Sequence, residues 1–455
     1  MSYAAAIEGL YALAGELHAA PGQPRRKFEL NEMRVLAEAL GHPELKFPSV
    51  LVAGTNGKGS TSATLASILS TAGYRVGLYT SPHLSRVNER VQIFDPKTAG
   101  APISDDDFAA LYFRIDDCAR KLVEEGELGA YPSFFEAMTA LAFLAFAEKK
   151  VDIAVLEVGM GGRLDATNIV EPLVSVIADI SLDHTEWLGA TITEIAREKA
   201  GILRPNGVLV TLPQHPEANQ AIGEAAVSQD VRGVSAAEYV PPYTDVDAFG
   251  KYSLNVLGER IEVASPLIGA HQQRNVALAI AAACELRNNH GYNITATQIA
   301  EGIRETRWPG RLERFSAAGR ADVLLDVAHN PAGAWALRAA LSHLDPEPKE
   351  IVAVFSCLRD KAISEIAQIL FPLFNRVVLT EVPSPRAASL EDLQAAAEKT
   401  GVSFETIADP SAALQQAIAS TPANGLIVVT GSVYLIGALR ENLAGAGSGY
   451  GHEGA

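Results

Sequence analysis

Short apolar runs alternate with amphipathic, helix-length stretches along most of the chain. In the first two thirds the runs are "SVLVAG", "RVGLYTS", "DIAVLEVG" and "VSVIADIS", each ending in glycine or a polar residue. This pattern predicts an α/β fold, with helices layered on a largely parallel sheet whose carboxyl ends form the ligand crevice. After "RETRWPGRLERF" a second series begins: "DVLLDVAHN", "EIVAVFSCL", "RVVLTEVP" and "LIVVTGS". Between them lie helical stretches such as "SLEDLQAAAEKTG", so a second, smaller, Rossmann-like α/β domain is expected. The Pro309-Gly310 turn signal divides the chain into residues 1–310 and 311–440. The ending "AGAGSGYGHEGA" reads as a flexible tail over 441–455, and "VPPYTDVDAFGKYSLNVLGERIEV" reads as β-hairpins rather than helices.

Length supports this division, because 455 residues exceed one ordinary core. Hydrophobic residues at 48% and charged residues at 20% describe a soluble globular protein. The net charge of -17 argues against nucleic-acid partners and attraction to anionic membranes. An anionic substrate must therefore be held by local cations or by metal. Cys118, Cys284 and Cys357 are far apart and form no CxxC pair, the usage of a reducing cytosol. The N-terminus makes a poor signal peptide, and no segment offers about 18 uncharged apolar residues, so a cytoplasmic protein is expected.

The chemistry starts at "GTNGKGS", comprising Gly54, Thr55, Asn56, Gly57, Lys58, Gly59 and Ser60, between a strand and the helix "STSATLASILSTAG". Amides at a helix N-terminus and one lysine suit a phosphate. The strict Walker pattern would place glycine at Val52 and a hydroxyl at Gly59, so this is a compact variant with Ser60 as the nearest hydroxyl. The alternative, a β–α turn with a solvated lysine, accounts less well for the strand–turn–helix context. Glu157 and Asp183-His184 close two further strands; they read equally as Mg²⁺ ligands near the loop or as buried structural residues. Lys199, in a helix closed at Gly201, reads alone as a surface lysine. Gly269, His271, Gln273 and Asn275 begin another helix, and Asp326 and His329 end a strand; alone these are capping and turn residues. Phe134 and Phe135 read as a core pair or as a platform for a flat ring.

"GTNGKGS", "YTSPHLSRVNERVQI", "LEVGMGGRLDATN", "SLDHTEWLG" and "REKAGI", in this order, resemble folylpolyglutamate synthase and the bifunctional dihydrofolate synthase/folylpolyglutamate synthase of the Mur ligase superfamily. The resemblance implies a P-loop ATPase domain with metal site and folate pocket, followed by a C-terminal Rossmann-like domain. It implies that Ser60, Ser81, Glu157 and His184 hold Mg²⁺ and that Lys199 is carbamylated. The phosphate loop, Asn275, Arg311 and Asp326 would contact ATP, with Asp326 and His329 facing the site from the second domain. Pro82, His83, Arg90, Phe135, Asp165 and Ala166 would border the pteroate, with Arg90 near its acidic end. The implied reaction is ATP-dependent amide ligation. A carboxylate of dihydropteroate or folate becomes an acyl phosphate, and the amine of L-glutamate displaces phosphate. Asp326 or His329 is the candidate base for the incoming amine. A muramyl-peptide ligase would need an N-terminal sugar-binding domain, for which about 50 residues before the loop leave too little chain. A nucleotide-binding regulator without ligase chemistry would not need Ser81, Glu157, His184 and Lys199 together. A monomer is expected.

Overall fold

The computed structural model describes residues 2–14, 29–242, 246, 250–344, 347–382, 384–445 and 450–452. The first sheet comprises β1 (Ser49–Ala53), β2 (Val76–Tyr79), β3 (Val91–Phe94), β4 (Ala101–Pro102), β5 (Ile153–Glu157), β6 (Val174–Ile177), β7 (Val208–Thr211) and β8 (Arg232–Ser235). Their order is β4-β3-β2-β5-β1-β6-β7-β8, and only β3 runs against the others, pairing antiparallel with both β2 and β4. β1 is central, with Val52 opposite Glu157 on one side and Val176 on the other. Its continuous apolar run follows from burial on both faces.

One face carries the helices Lys58–Thr71, Ala270–His290 and Ala296–Arg304. The first is "KGSTSATLASILST", buried nearly end to end because small residues let its neighbours approach closely. A Cβ on Gly302 would fall 2.4 Å from the Cα of Ile68, and the Ser67 hydroxyl donates to the Gly302 carbonyl at 2.7 Å. The other face packs the helices Phe134–Lys149, Asp105–Glu124 and Tyr3–Ala12 into a separate core.

The stretch expected to form hairpins contains one, β9 (Tyr252–Val256) with β10 (Glu259–Val263). Leu257 and Gly258 both have positive φ, the signature of a two-residue hairpin turn. Within that stretch, 243–245 and 247–249 lie outside the described residues.

The second sheet comprises β11 (Glu313–Ser316), β12 (Asp322–Asp326), β13 (Ile351–Phe355), β14 (Arg376–Leu379), β15 (Phe404–Thr406), β16 (Leu426–Thr430) and β17 (Gly451–His452). Its order is β15-β14-β13-β16-β12-β11-β17, and only β11 runs against the others, pairing antiparallel with both β12 and β17. The tail expected to be flexible from 441 is ordered in part. The helix Val433–Ala444 runs through the start of it and buries Leu443, Gly451 and His452 pair with Ser316 and Phe315, and the Tyr450 hydroxyl donates to the Ala321 carbonyl. The edge of β11 supplies open backbone groups, and that pairing orders a segment whose composition suggested none. Residues 446–449 and 453–455 lie outside the described set. Cys118, Cys284 and Cys357 are all free thiols.

Candidate active site

The phosphate loop leaves the middle of the first sheet at Ala53. Gly54 and Gly57 have φ of 150° and 85°, backbone that disfavours side chains. A Cβ on Gly57 would also lie 2.1 Å from Asn275 Oδ1, and one on Gly59 would lie 2.7 Å from the Trp308 ring. The Thr55 and Asn56 amides donate to the Asp179 carbonyl, which pins the start of the loop to the end of β6. The first helical bond runs from the Thr61 amide to the Gly57 carbonyl. The amides of Lys58, Gly59 and Ser60 therefore project from the helix N-terminus. The Lys58 ammonium folds back to donate to the Thr55 carbonyl at 3.1 Å.

Lys199 is the residue that spacing alone misjudged. It is buried, not on the surface, and its Nζ donates to the Gly54 carbonyl at 2.8 Å. Burial, reinforced by the nearby Lys58 charge, lowers its pKa to about 7, with Asp183 and Asp165 opposing. Glu157 is also buried and accepts from the Ser81 amide at 3.1 Å. Burial raises its pKa, partly offset by Lys58, the Ser81 amide, Arg311 and Arg90. His184 has φ 50° and begins the short helix Thr185–Leu188. Burial and Lys361 lower its pKa to about 4, so its imidazole is neutral near pH 7. Ser60 is buried in the first turn of its helix. Lys58 thus lies within electrostatic reach of Glu157, His184 and Lys199, which joins the sequence-predicted metal and carbamate residues into one cluster.

The second domain closes this crevice with residues that the motifs did not assign. The Asn330 amide group donates to Asn56 Oδ1 at 3.0 Å and to Asp183 Oδ2 at 3.2 Å. Lys361 Nζ donates to Asp183 Oδ1 at 2.8 Å, with both side chains largely buried. Burial pushes Asp183 up, but Lys361, His184 and His329 outweigh it and hold its carboxyl well below the usual range. Arg274 forms a two-pronged bond to Asp179 behind the loop. Asn330 and Lys361 follow β12 and β13, and strand-end position was the available signal.

Asp326 is buried, and its two oxygens accept from the Leu312 and Ala328 amides, each at 3.0 Å. Burial raises its pKa against the pull of Arg311. Arg311 is half-buried; desolvation lowers its pKa, while Asp326 and Glu157 oppose that effect. His329 Nδ1 lies 2.8 Å from the Val327 carbonyl, so that nitrogen carries the hydrogen and Nε2 is the acceptor. Burial and Lys361 lower its pKa to about 4. Asn275 bonds Gln272 through its side-chain amide.

The residues that the resemblance assigns to the pteroate form a neighbouring group. Phe134 is core, whereas Phe135 is half-buried with its ring on Gly159, where a Cβ would come within 2.0 Å. Asp165 uses Oδ1 for the Thr167 amide and hydroxyl and Oδ2 for the Met160 amide, so it organises its own loop around buried Ala166. Arg90 donates through Nε to His83 Nδ1 at 2.9 Å, and Pro82 beside it is exposed. Tyr79 connects the two halves of this group: its ring centroid is 6.2 Å from that of Phe135, and Arg90 and Asp165 both act on its hydroxyl.

Among the described residues no helix is long and apolar enough to cross a membrane. Residues 123–283 match the Mur ligase middle domain, and residues 310–433 match the Mur ligase glutamate ligase domain. The dihydrofolate synthase/folylpolyglutamate synthase of Bacillus subtilis is 37% identical over 91% of this chain and 94% of its own. The structure of Mycobacterium tuberculosis folylpolyglutamate synthase complexed with ADP superposes with a TM-score of 0.85 at 34% identity, covering 97% of this chain and 99% of that one. Escherichia coli FolC in complex with DHPP and ADP gives a TM-score of 0.82 at 30% identity, covering 96% and 97%. The chain belongs to the folylpolyglutamate synthase/dihydrofolate synthase family of Mur-type, ATP-dependent ligases.

Proposed function

We propose that this enzyme activates the carboxylate of dihydropteroate and of reduced folates with ATP and joins it to L-glutamate, releasing ADP and phosphate. The observation that carries this reading is the Asn56–Asn330 contact, by which the phosphate loop and the second domain share one crevice. A ligase that brings a nucleotide, an acid and an amine together needs such a meeting point.

In this reading the Lys58 side chain and the amides of Lys58, Gly59 and Ser60 hold the transferring phosphoryl group, while Gly54, Thr55, Asn56 and Gly57 shape the loop against β6. Asn275 and Arg311 flank ATP, and Asp326 acts by holding the Leu312 and Ala328 backbone and Arg311. Ser60, Ser81, Glu157 and His184 would hold Mg²⁺. The fit is chemical: Glu157 is a buried oxygen donor beside the phosphate loop, and His184 is neutral. Among the described residues no three His, Cys, Asp or Glu side chains gather as a cage. That suits an ion whose remaining ligands are phosphate oxygens and water. When bound, Mg²⁺ supplies charge neutralisation at the phosphoryl oxygens. The depressed pKa of Lys199 supports its carbamylation, because only the neutral amine adds CO₂. Phe135 and the Asp165–Ala166 loop border the pteroate ring, and Pro82, His83 and Arg90 border its acidic end. Nε2 of His329 receives the proton of the incoming amine. The division at Pro309-Gly310 then separates an ATP-and-acid domain from an amine domain, and the molecule acts as a cytoplasmic monomer.

The test is phosphate release by the purified protein with MgATP and L-glutamate, with dihydropteroate or tetrahydrofolate in separate wells. Release dependent on each acceptor supports both steps. Silence with both, together with activity on a UDP-muramoyl acceptor, would overturn the reading.

A further inference from the structure

The helix Tyr3–Ala12 belongs to none of the motifs, yet it lays an aromatic side chain on the acidic-end group. Tyr11 stacks on Phe134 with centroids 5.8 Å apart and planes at 30°, and it is 47% exposed. The Arg90 guanidinium lies 5.1 Å from the centroid of the same Phe134 ring. His83 joins the two, with Nδ1 at 2.9 Å from Arg90 Nε and Nε2 at 3.3 Å from the Tyr11 hydroxyl oxygen.

The direction of this chain follows from donor chemistry. Arginine Nε can only donate, so His83 Nδ1 is the acceptor and Nε2 carries the hydrogen. His83 therefore donates to the Tyr11 oxygen, and the phenolic hydrogen of Tyr11 is directed elsewhere. Tyr11 makes no other hydrogen bond among the described residues, and neither do the terminal nitrogens of Arg90. A phenol donor at the rim and guanidinium donors behind it are matched by a carboxylate. His83 follows Ser81 by two residues, and the Ser81 amide donates to Glu157 Oε2 at 3.1 Å, which places the inner end of the arrangement beside the phosphoryl site, while Tyr11 stands one imidazole out from Arg90.

We propose that Tyr11, positioned by His83, is a specificity-determining residue that binds the carboxylate a glutamylated acceptor carries in addition to the one being activated. Dihydropteroate has no such second carboxylate, so Tyr11 separates the two acceptors. This inference rests on the folate-ligase reading above.

The test is Tyr11→Phe, which keeps the ring on Phe134 and removes only the hydroxyl. Steady-state phosphate release is measured with tetrahydrofolate and with dihydropteroate, alongside the thermal midpoint. The expected result is a rise of about tenfold in the ratio of the tetrahydrofolate KM to the dihydropteroate KM, since a charge-assisted hydrogen bond is lost. The kcat values and the midpoint should stay close to wild type. Tyr11→Ala, which also removes the ring, should raise the ratio at least as far. An unchanged ratio in Tyr11→Phe overturns the inference while leaving the ligase reading intact. A wild-type enzyme active only with dihydropteroate overturns it too. Silence of the wild type with both acceptors is the failure of the underlying reading, and the inference falls with it.

Discussion

Replacing Lys199 with methionine tests whether the buried amine is kept for chemistry at the expense of stability. In the unfolded chain the amine keeps its proton up to its ordinary pKa of 10.5, whereas in the fold it releases it near 7. Between these values the unfolded state binds more protons, so wild-type stability rises with pH across that window, and below about 7 the penalty is felt in full. At about 1.4 kcal/mol per pH unit, the penalty is about 5 kcal/mol at pH 6 and about 2 kcal/mol at pH 9. Methionine fills a similar volume without the charge but leaves the Gly54 carbonyl without its donor, which costs about 1–2 kcal/mol. Lys199→Met should thus be more stable than wild type by about 3 kcal/mol at pH 6 and nearly equal at pH 9. Denaturant unfolding at pH 6, 7.5 and 9 in CO₂-depleted buffer measures this directly. Turnover should be lost in the variant, and added bicarbonate should stabilise the wild type alone. Stability curves for the two proteins that run parallel from pH 6 to 9 would refute the reasoning.

Glu157→Gln removes a carboxyl already strained by burial, so unfolding stability should hold or rise while the Mg²⁺ concentration for half-maximal phosphate release climbs at least about tenfold; an unmoved Mg²⁺ midpoint contradicts the ligand role. Asp183→Asn leaves Lys361 buried without its counter-charge and should cost about 3 kcal/mol of unfolding free energy. Because the Asp183 carboxyl is held below its ordinary range, the same contribution should drain from the wild type as pH falls below about 4, and an identical acid limb in the variant would count against it. Gly57→Ala forces a Cβ to within 2.1 Å of Asn275 Oδ1 on backbone with φ 85°, and calorimetry should show ATP affinity reduced at least about 100-fold; retained affinity would mean that the loop binds phosphate in another shape.

The strands legible in the sequence were those buried on both faces. "VLVA" in β1 and "LIVV" in β16 are unbroken apolar runs because each lies between two parallel neighbours. "RGVS" of β8 and "FET" of β15 lie at sheet edges, where one neighbour suffices and polar residues are tolerated, so their periodicity is weak. The site divides in a similar way. Lys58, Glu157 and His184 sit in compact loop and strand-end motifs of the first domain, whereas the burial of Lys199 in the helix Ile192–Ala200 did not show in its spacing. Lys361 was not legible either, since its partner Asp183 is 178 residues away and the pairing exists only once two sheets have met. The tyrosine of the first helix was silent for the same reason, because its partner His83 is 72 residues distant.

The Asn56–Asn330 and Asp183–Lys361 contacts have a consequence for how such enzymes diverge. Each joins a side chain of the first domain to a side chain of the second across the crevice, beside the contacts that Leu84 and Ser85 make with the second-domain core and the Gly437 carbonyl. Recombination that exchanges the 3′ third among relatives should therefore succeed best when these pairs arrive matched. When they do not, the hybrid folds as two sound halves that fail to close on a shared substrate. Among descendants, the identities at 56 and 330, and at 183 and 361, should change together or not at all.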